Sequence, residues 1–218
     1  MRIAVLGAGN VGGTLGRRWA GEGHDVAFGV RQPERGSAAV KGGDALPAHA
    51  RVTSPRDAVK GVHAVLLATQ WGAVADALNG AGAGDGTLDG LPLLDATNPL
   101  KGFALDDSLG GRSGAEHIQA LVPNAKVVKV FNTTGFNNMQ VPAYNGQRTV
   151  MFYAGNDAAA KGVAHELATA LGFEAVDAGN LEQARLLESL AMLWISLAYG
   201  AAGTPAIGRD FAFHLVRR

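Results

Sequence analysis

The chain has 218 residues, no cysteine, and a formal net charge of zero from 19 basic and 19 acidic residues. This length fits one α/β domain, or one domain with a small appendage, and the balanced charge predicts no nucleic-acid partner. The lack of cysteine excludes disulfides, zinc–thiolate sites and a thiol nucleophile, and it is compatible with a cytoplasmic protein. The most apolar segment, residues 190–199, is about half as long as a membrane helix, so we expect no membrane partner.

Short apolar runs alternate with longer helical stretches along the chain. Most of these runs are apolar at consecutive positions, which is typical of parallel strands covered by helices on both faces. The predicted strands are residues 3–6, 26–30, 64–68, 91–94, 127–131, 150–153 and 175–176. The predicted helices between them are residues 11–21, 55–60, 71–78, 115–121 and 157–171. This order predicts an α/β fold with a doubly wound parallel sheet.

Two loops and a final helix depart from this alternation. Residues 79–90 and 101–113 are glycine-rich and carry no apolar period, and the second loop could be a lid or a plain connector. Residues 181–199 form a predicted helix that is apolar almost all round, so we expect it to be buried within the chain or against a second subunit. Its charged residues Arg185 and Glu188 are expected to pair, within the chain or across a dimer.

The segment after the first predicted strand fits the pattern G-x-G-x-x-G. Gly7, Gly9 and Gly12 hold the glycine positions, and Asn10 and Val11 open the predicted helix. The first glycine permits a tight turn, the second leaves space for a pyrophosphate, and the third lets helix and strand pack closely. The free N–H groups at the helix start would then face an anion. The pattern indicates a dinucleotide site, and the alternative is a glycine-rich turn without a ligand.

The end of the second predicted strand indicates which dinucleotide is bound. Enzymes specific for NAD usually carry an acidic residue there, which accepts a hydrogen bond from the ribose 2′-hydroxyl. This chain has Val30 and Arg31 instead, with Arg35 one turn later. A guanidinium pairs with a 2′-phosphate through two parallel hydrogen bonds, so we expect NADP. Arg35 could equally be a solvated helix residue, and Glu34 could turn toward the ribose and weaken the preference.

Ligands of an open α/β sheet lie across the carboxyl ends of its strands. The residues that follow the third, fourth and fifth predicted strands are mostly amides and hydroxyls, with one aromatic ring. They are Thr69, Gln70 and Trp71, then Thr97 and Asn98, then Asn132, Thr133 and Thr134. We expect them to line the nicotinamide half of the cofactor and the group that meets it.

Other chemistries lack a matching pattern. The six histidines are scattered without metal-ligand spacing, so we expect no metal, and neither G-x-S-x-G, a P-loop nor Tyr-x-x-x-Lys occurs. Asp106, Asp107 and Asp210 could act as acids, although an aspartate in a loop is usually only solvated. A ketone reductase needs a proton donor, whereas a partner that is itself a hydride-carrying ring needs less. We therefore assign no catalytic residue and expect hydride transfer by ring positioning.

Several segments resemble one family when they are taken together. They are the glycine turn, Arg31, T-Q-W at residues 69–71, K-V-F-N-T at residues 129–133, and D-A-G-N-L-E-Q-A-R-L-L-E-S-L at residues 177–190. The chain resembles the NADP oxidoreductases that depend on the deazaflavin coenzyme F-420 (F420). The resemblance runs through nearly the whole chain, and the block at residues 177–190 is its most specific part.

This resemblance implies a Rossmann domain, residues 1–178, followed by a small helical C-terminal part, residues 179–218. It also implies that a hydride moves between C4 of the nicotinamide of NADP(H) and C5 of F420, and that the enzyme is a homodimer with the C-terminal helix at the interface. The family's phosphate loop falls on Gly9, Asn10 and Val11, and its 2′-phosphate site falls on Val30, Arg31 and Arg35. Its nicotinamide segments fall on residues 69–71 and 132–134.

The chain departs from archaeal members of this family in three places. Val30 stands where they carry a small hydroxyl residue, Gln70 where they carry proline, and residues 132–135 where they read histidine–threonine–isoleucine–proline. The last segment lies where the deazaflavin would dock. A second hypothesis is therefore an NADPH-dependent reductase of another small acceptor, such as an imine, a quinone, a flavin or a ferric centre. A third is an NADP-binding protein without turnover.

Overall fold

The computed structural model describes the backbone of residues 1–218 and every side chain except that of Ala202. Its strands are β1 (Arg2–Leu6), β2 (Asp25–Gly29), β3 (Ala50–Thr53), β4 (Ala64–Leu67), β5 (Pro92–Asp95), β6 (Lys126–Lys129), β7 (Ala143–Tyr144), β8 (Gln147–Arg148), β9 (Val150–Gly155) and β10 (Glu174–Asp177). Its α-helices are α1 (Asn10–Gly21), α2 (Pro55–Ala58), α3 (Val74–Ala81), α4 (Gly114–Leu121), α5 (Phe136–Gln140), α6 (Ala158–Ala170) and α7 (Ala184–Tyr199).

The main sheet has the strand order β10-β9-β6-β5-β4-β1-β2-β3. Strands β1 to β6 are mutually parallel and follow the order 3-2-1-4-5-6 of a Rossmann fold. Strand β9 runs antiparallel to β6, and β10 runs parallel to β9. The winding changes direction between β1 and β4, and a crevice therefore opens there at the carboxyl ends of the strands. The predicted α/β fold with a doubly wound sheet is confirmed.

Helices cover both faces of the sheet, so its central strands are buried on two sides. On one face α1 and α6 pack against the strands, with Leu15, Trp19 and Leu167 fully buried. On the other face α2, α3 and α4 pack, with Leu78 and Ile118 among the buried side chains. This two-sided burial explains why the strand sequences are apolar at consecutive positions.

Three elements escaped the sequence prediction. Strand β3 lies at the sheet edge with Arg51 exposed and its neighbours half-buried, so its sequence has no apolar run. The hairpin β7–β8 has two residues per strand, joined by Asn145 and Gly146, both with positive φ. Asn-Gly is a typical pair for such a turn, so this signal was present in the sequence. Helix α5 has five residues, too few for a helical period to be visible.

The two predicted loops differ in outcome. Helix α3 continues to Ala81 and ends at Gly82, which has a left-handed backbone, so the first loop begins later than expected. The second loop is confirmed, with one 3₁₀ turn at Asp107–Leu109. A bridge between Leu100 and Leu105 fastens its beginning.

Helix α7 buries one face and exposes the other. Leu187, Ala191 and Trp194 are buried, whereas Leu193 and Tyr199 on the outer face are 50% and 52% exposed. The single chain therefore buries only one face of α7, and burial of the outer face against a second subunit stays a prediction. Residues 204–218 continue without helix or strand and return to the sheet edge, where the Phe213 carbonyl accepts from the Val150 N–H at 3.0 Å. The domain boundary at residues 178–179 stays a prediction.

Among the described residues, no helix combines the length and the apolar character that crossing a membrane requires.

Candidate functional site

The carboxyl edge of the sheet gathers the residues singled out from the sequence. Strands β6, β5, β4, β1 and β2 are consecutive neighbours, and each leads at its carboxyl end into one of the predicted segments. Residues 7–12 follow β1, residues 69–71 follow β4, residues 97–98 follow β5 and residues 132–134 follow β6. Arg31 and Arg35 follow β2 and are both exposed. The predicted site residues therefore lie along one crevice.

The glycine turn contains two glycines that close packing requires and one, Gly9, whose surroundings are open. Gly7 has φ +97°, and a Cβ there would lie 2.6 Å from the Ala68 carbonyl oxygen. A Cβ at Gly12 would lie 1.9 Å from the Gly7 carbonyl oxygen. Gly9 differs, because it precedes the first turn of α1 without a side-chain cap and a Cβ there would meet nothing within 4 Å. The open space at Gly9 is therefore a cradle beside the N–H groups that begin α1.

A pair of amides joins the ends of β5 and β6. The Asn98 Nδ2 donates to the Asn132 carbonyl oxygen at 3.1 Å, and the Asn132 Nδ2 donates to Asn98 Oδ1 at 3.0 Å. Asn132 is 4% exposed. Its backbone follows directly on Phe131, a fully buried residue with φ +62°. A bulky side chain in this left-handed region costs about 1–3 kcal/mol, so packing holds a strained turn just before Asn132.

Buried polar atoms without a partner concentrate at the same edge. Among the described side chains, those atoms are Thr69 Oγ1, Asn132 Oδ1 and Asn137 Oδ1. Thr69 follows β4 and the two asparagines follow β6. Leaving a buried polar atom unpaired costs about 1–3 kcal/mol, so proteins usually pair such atoms with protein, water or a ligand. Their location fits a polar ligand group at the ends of these strands.

A buried ion network lies beneath this edge and was not foreseen from the sequence. The Lys129 ammonium contacts Asp95 Oδ2 at 3.0 Å and Glu188 Oε1 at 2.8 Å, and it donates to the Thr97 carbonyl oxygen at 2.5 Å. All three charged side chains are at least 98% buried, since Lys129 and Asp95 are 0% exposed and Glu188 is 2% exposed. Burial alone would lower the pKa of Lys129, but the two carboxylates outweigh it and raise that pKa. Lys129 therefore stays charged at neutral pH.

The network fixes both the β5 turn and the N-terminus of α4. Asp95 Oδ1 accepts from the Thr97 N–H at 2.8 Å and from the Thr97 hydroxyl at 2.7 Å. Glu188 Oε2 accepts from the Gly114 N–H at 3.0 Å. The predicted pairing of Arg185 with Glu188 is wrong, because Glu188 turns inward to Lys129 while Arg185 is exposed and donates to the Gly111 carbonyl oxygen at 3.3 Å. Although they are only three residues apart, Arg185 lies on the exposed side of α7 and Glu188 on its buried side.

Trp71 is held against the second loop and α4. Its ring meets the His117 ring edge-on at a centroid distance of 5.6 Å. A Cβ at Gly114 would approach the Trp71 ring to 3.1 Å, so glycine is needed for this close packing. The Ser108 hydroxyl, and more weakly the Trp71 side chain, lower the pKa of Asp106 by hydrogen bonding. Asp106 thus fastens the loop beside Trp71 as an ionised cap.

The C-terminal tail brings a second polar cluster to the region after β6. The Asn138 Nδ2 donates to Thr134 Oγ1 at 2.8 Å and to the Phe211 carbonyl oxygen at 2.6 Å. The Tyr144 hydroxyl donates to Asn138 Oδ1 at 2.5 Å. Burial first, and Asp210 second, raise the pKa of Tyr144, so the phenol stays protonated at neutral pH. This cluster contains a proton donor that the sequence analysis did not find.

The sequence carried a signal for one of these missed residues only. Lys129 is the polar residue within the otherwise apolar predicted strand 127–131, and a lysine in a buried strand requires a carboxylate partner. Tyr144 carried no comparable signal, because its contacts depend on a tail that returns from the end of the chain. Of the three aspartates weighed as acids, Asp210 alone joins a cluster near the strand ends, at 3.3 Å from Asn137 Nδ2.

Comparison with known proteins adds a family to this geometry. A family model described as "NADP oxidoreductase coenzyme F420-dependent" matches residues 2–99, which include the glycine turn and the end of β4. A protein of Arthrobacter sp. fb24 with the provisional name F420-dependent NADP-reductase is 35% identical, with 100% of both chains covered and a TM-score of 0.83.

Two further relatives are more distant. A hypothetical protein of Sinorhizobium meliloti is 27% identical, with a TM-score of 0.72. The match covers 96% of this chain and 94% of the Sinorhizobium chain. Metalloreductase STEAP3 of Rattus norvegicus is 29% identical over 197 residues, which is 88% of this chain. The match spans only 36% of STEAP3, so most of that protein has no counterpart in this chain.

The contrast between Gly9 and Gly12 predicts two different losses. Gly9→Val should leave the free energy of unfolding within about 1 kcal/mol, because the added Cβ would meet no protein atom within 4 Å. It should weaken NADPH binding at least about tenfold, because the side chain fills the cradle. Calorimetric titration and urea unfolding measure the two effects. Gly12→Ala is the control and should fail to fold stably; tight NADPH binding by Gly9→Val would contradict the cradle.

The Lys129 network predicts a large loss of stability from one substitution. Lys129→Met should lower the free energy of unfolding by about 3–5 kcal/mol, because it leaves two buried carboxylates without a counter-charge. Lys126→Met is the matched control, because that lysine is exposed at the other end of β6, and it should change stability by less than about 0.5 kcal/mol. Equal urea midpoints for the two variants would show that the network contributes nothing.

Proposed function

The chain belongs to the family of NADP oxidoreductases dependent on coenzyme F420, and we propose that it transfers a hydride between NADP(H) and F420. The observation that carries this proposal is a crevice edge lined by neutral amides and hydroxyls, with buried polar atoms still unpartnered on Thr69 and Asn132. Such groups orient flat rings and exclude water without adding a charge. NADPH supplies a hydride when bound, and F420 takes up that hydride together with a proton from water.

We propose that the chain's own residues divide the work by position. Gly9, Asn10 and Val11 cradle the pyrophosphate through the first N–H groups of α1, and Arg31 holds the 2′-phosphate with support from Arg35. The open space at Gly9 and the exposed guanidiniums support this assignment. Val30 lines the same end of the cofactor through its backbone.

The nicotinamide end is assigned to the neutral residues of β4, β5 and β6. We propose that Thr69, Asn98 and Asn132 orient the carboxamide through hydrogen bonds. The remaining members of this set are Gln70, Trp71, Thr97, Thr133 and Thr134, which close the crevice around the two rings. Lys129 donates no proton in this scheme, because its ammonium already faces three acceptors of the protein.

A second candidate rests on the Tyr144 phenol. If the acceptor is a small imine or carbonyl, its heteroatom needs a proton as the hydride arrives. Tyr144 is half-buried, hydrogen-bonded to Asn138 and protonated at neutral pH, so it could donate that proton. This hypothesis predicts activity that depends on Tyr144, which the deazaflavin hypothesis does not require.

The decisive experiment is direct hydride exchange with purified protein. Mixed with NADPH and oxidised F420, the protein should convert the two carriers in equal amounts, followed by the absorbance of each. Asn132→Leu should slow this exchange about tenfold or more while the NADPH dissociation constant stays within about threefold, since the lost amide orients rather than anchors. Asn124→Leu, on an exposed residue just before β6, should behave as wild type.

Each outcome of that experiment separates the hypotheses. NADPH binding without any exchange would contradict the deazaflavin assignment. Turnover of imines or carbonyls that is lost in Tyr144→Phe would then support the second candidate. Turnover of quinones, flavins or ferric compounds that survives in Tyr144→Phe would support a reductase that does not use this phenol. Binding with no turnover of any acceptor would leave the non-catalytic NADP-binding protein.

We also propose that the protein forms a homodimer through the outer face of α7. Leu186, Leu193 and Tyr199 are 58%, 50% and 52% exposed there, and such apolar patches usually mark an interface. Leu193→Glu should convert the dimer to a monomer in sedimentation equilibrium at micromolar concentration. Val141→Glu changes an equally exposed apolar residue away from α7 and should leave the dimer intact. A wild-type protein that sediments as a monomer would contradict this proposal.

A further inference from the structure

The segment after the 3₁₀ turn Pro33–Ala39 folds back onto the glycine turn. The Lys41 N–H donates to the Ala8 carbonyl oxygen at 3.0 Å, so Lys41 is bonded to the residue between Gly7 and Gly9. The Lys41 carbonyl also lies against α1, because a Cβ at Gly13 would approach its oxygen to 2.5 Å. The backbone of Lys41 is thus fixed beside the proposed phosphate cradle.

Arg17 fastens this segment from the side of α1. Its guanidinium donates from Nε to the Lys41 carbonyl oxygen at 2.9 Å and from Nη2 to that of Gly43 at 2.7 Å. It also donates to the carbonyl oxygens of Val40 and Ala45. Gly42 and Gly43 both have positive φ, a backbone conformation that glycine adopts readily because it has no Cβ. The hydrogen bonds of the Arg17 guanidinium therefore hold the backbone of residues 40–45, including Lys41, against α1.

The side chain of Lys41 makes no ion pair within the described part of the chain. It is exposed, and in the part of the chain with described side chains no carboxylate lies within 4 Å of its ammonium. Arg31 lies near the beginning of the segment that follows β2. Lys41 lies where this segment returns to the glycine turn and bonds to Ala8. A cavity of about 530 Å³ adjoins the segment and is lined by residues 37, 38 and 40–44. Lys41 and Asp44 are the cation and the acid of this lining, and no ion pair joins them.

We propose that Lys41 is a specificity-determining residue that binds the 2′-phosphate of NADP(H), and that Arg17 is the positioning residue that holds it there. A phosphate monoester carries nearly two negative charges and three acceptor oxygens. The planar guanidinium of Arg31 pairs with two of those oxygens, and a compact ammonium serves the third as a point charge. This inference rests on the proposed NADP site, and it adds a residue distant in sequence from the end of β2.

The test compares two dinucleotides that differ only in the 2′-phosphate. Lys41→Met should raise the dissociation constant of NADPH about tenfold and that of NADH less than twofold, measured by calorimetric titration. Lys41→Arg should stay within about threefold of wild type for NADPH, because the charge remains. Lys126→Met is the matched control and should bind both dinucleotides as wild type does. Thermal unfolding checks that the backbone anchors of Lys41 survive.

The role of Arg17 is tested by a double-mutant cycle. Arg17→Met should weaken NADPH selectively, and the double variant with Lys41→Met should be no weaker than Lys41→Met alone. Additive losses would overturn the positioning role. Equal losses for NADPH and NADH in Lys41→Met, or none for either, would overturn the inference about Lys41. A wild-type protein that binds neither dinucleotide would overturn the proposed function itself.

Discussion

The Lys129 ammonium is where the sheet, α4 and α7 meet, and the rest of the architecture depends on that contact. Two carboxylates and one ammonium leave a net negative charge in a fully buried place. The N–H groups that begin α4 offset part of it, because the end of a helix acts as roughly half a positive charge. With every donor of the ammonium paired, the network tolerates burial, but separating α7 from the sheet would strand Asp95 or Glu188. The C-terminal helix is therefore tied to the sheet by charge as well as by apolar packing.

The same contact determines where the polar residues of the crevice lie. Asp95 and Lys129 together occupy the N–H, the hydroxyl and the carbonyl of Thr97, which leaves that residue no freedom. Asn98 follows directly and bonds to Asn132, whose own turn is strained at Phe131. A chain of fixed groups thus runs from a buried ion pair to the amides at the edge. The strained Phe131 and the unpartnered Oδ1 of Asn132 are adjacent in sequence, so the fold holds this part of the site in a costly conformation.

The sequence predicted what depends on local pattern and missed what depends on distant contacts. Consecutive apolar residues gave the parallel strands, and the G-x-G-x-x-G turn gave the position of the crevice, because both effects act within a few residues. Strand β3 lacks the apolar run since it lies at the edge and buries little. The partners of Lys129 could not be predicted from the sequence, because Asp95 is 34 residues away and Glu188 belongs to α7, near the end of the chain. For Arg185 and Glu188, helical spacing was a poor guide because the boundary between buried and exposed faces of α7 falls between them.

The two candidate functions differ in whether the protein must provide a proton, and the distribution of charge bears on that choice. Lys129 lies beneath the strand ends, and its raised pKa keeps its protons bound. The edge above it is lined by amides and hydroxyls, which suits an acceptor that takes its proton from water. Tyr144 is protonated and close to Thr134 through Asn138, but its hydrogen already points to Asn138 Oδ1. To deliver a proton, Tyr144 would have to break its hydrogen bond to Asn138 Oδ1. Hydride exchange between two bound rings does not require that bond to break. Because it leaves this hydrogen bond intact, the proposal with the deazaflavin as the acceptor is the simpler of the two.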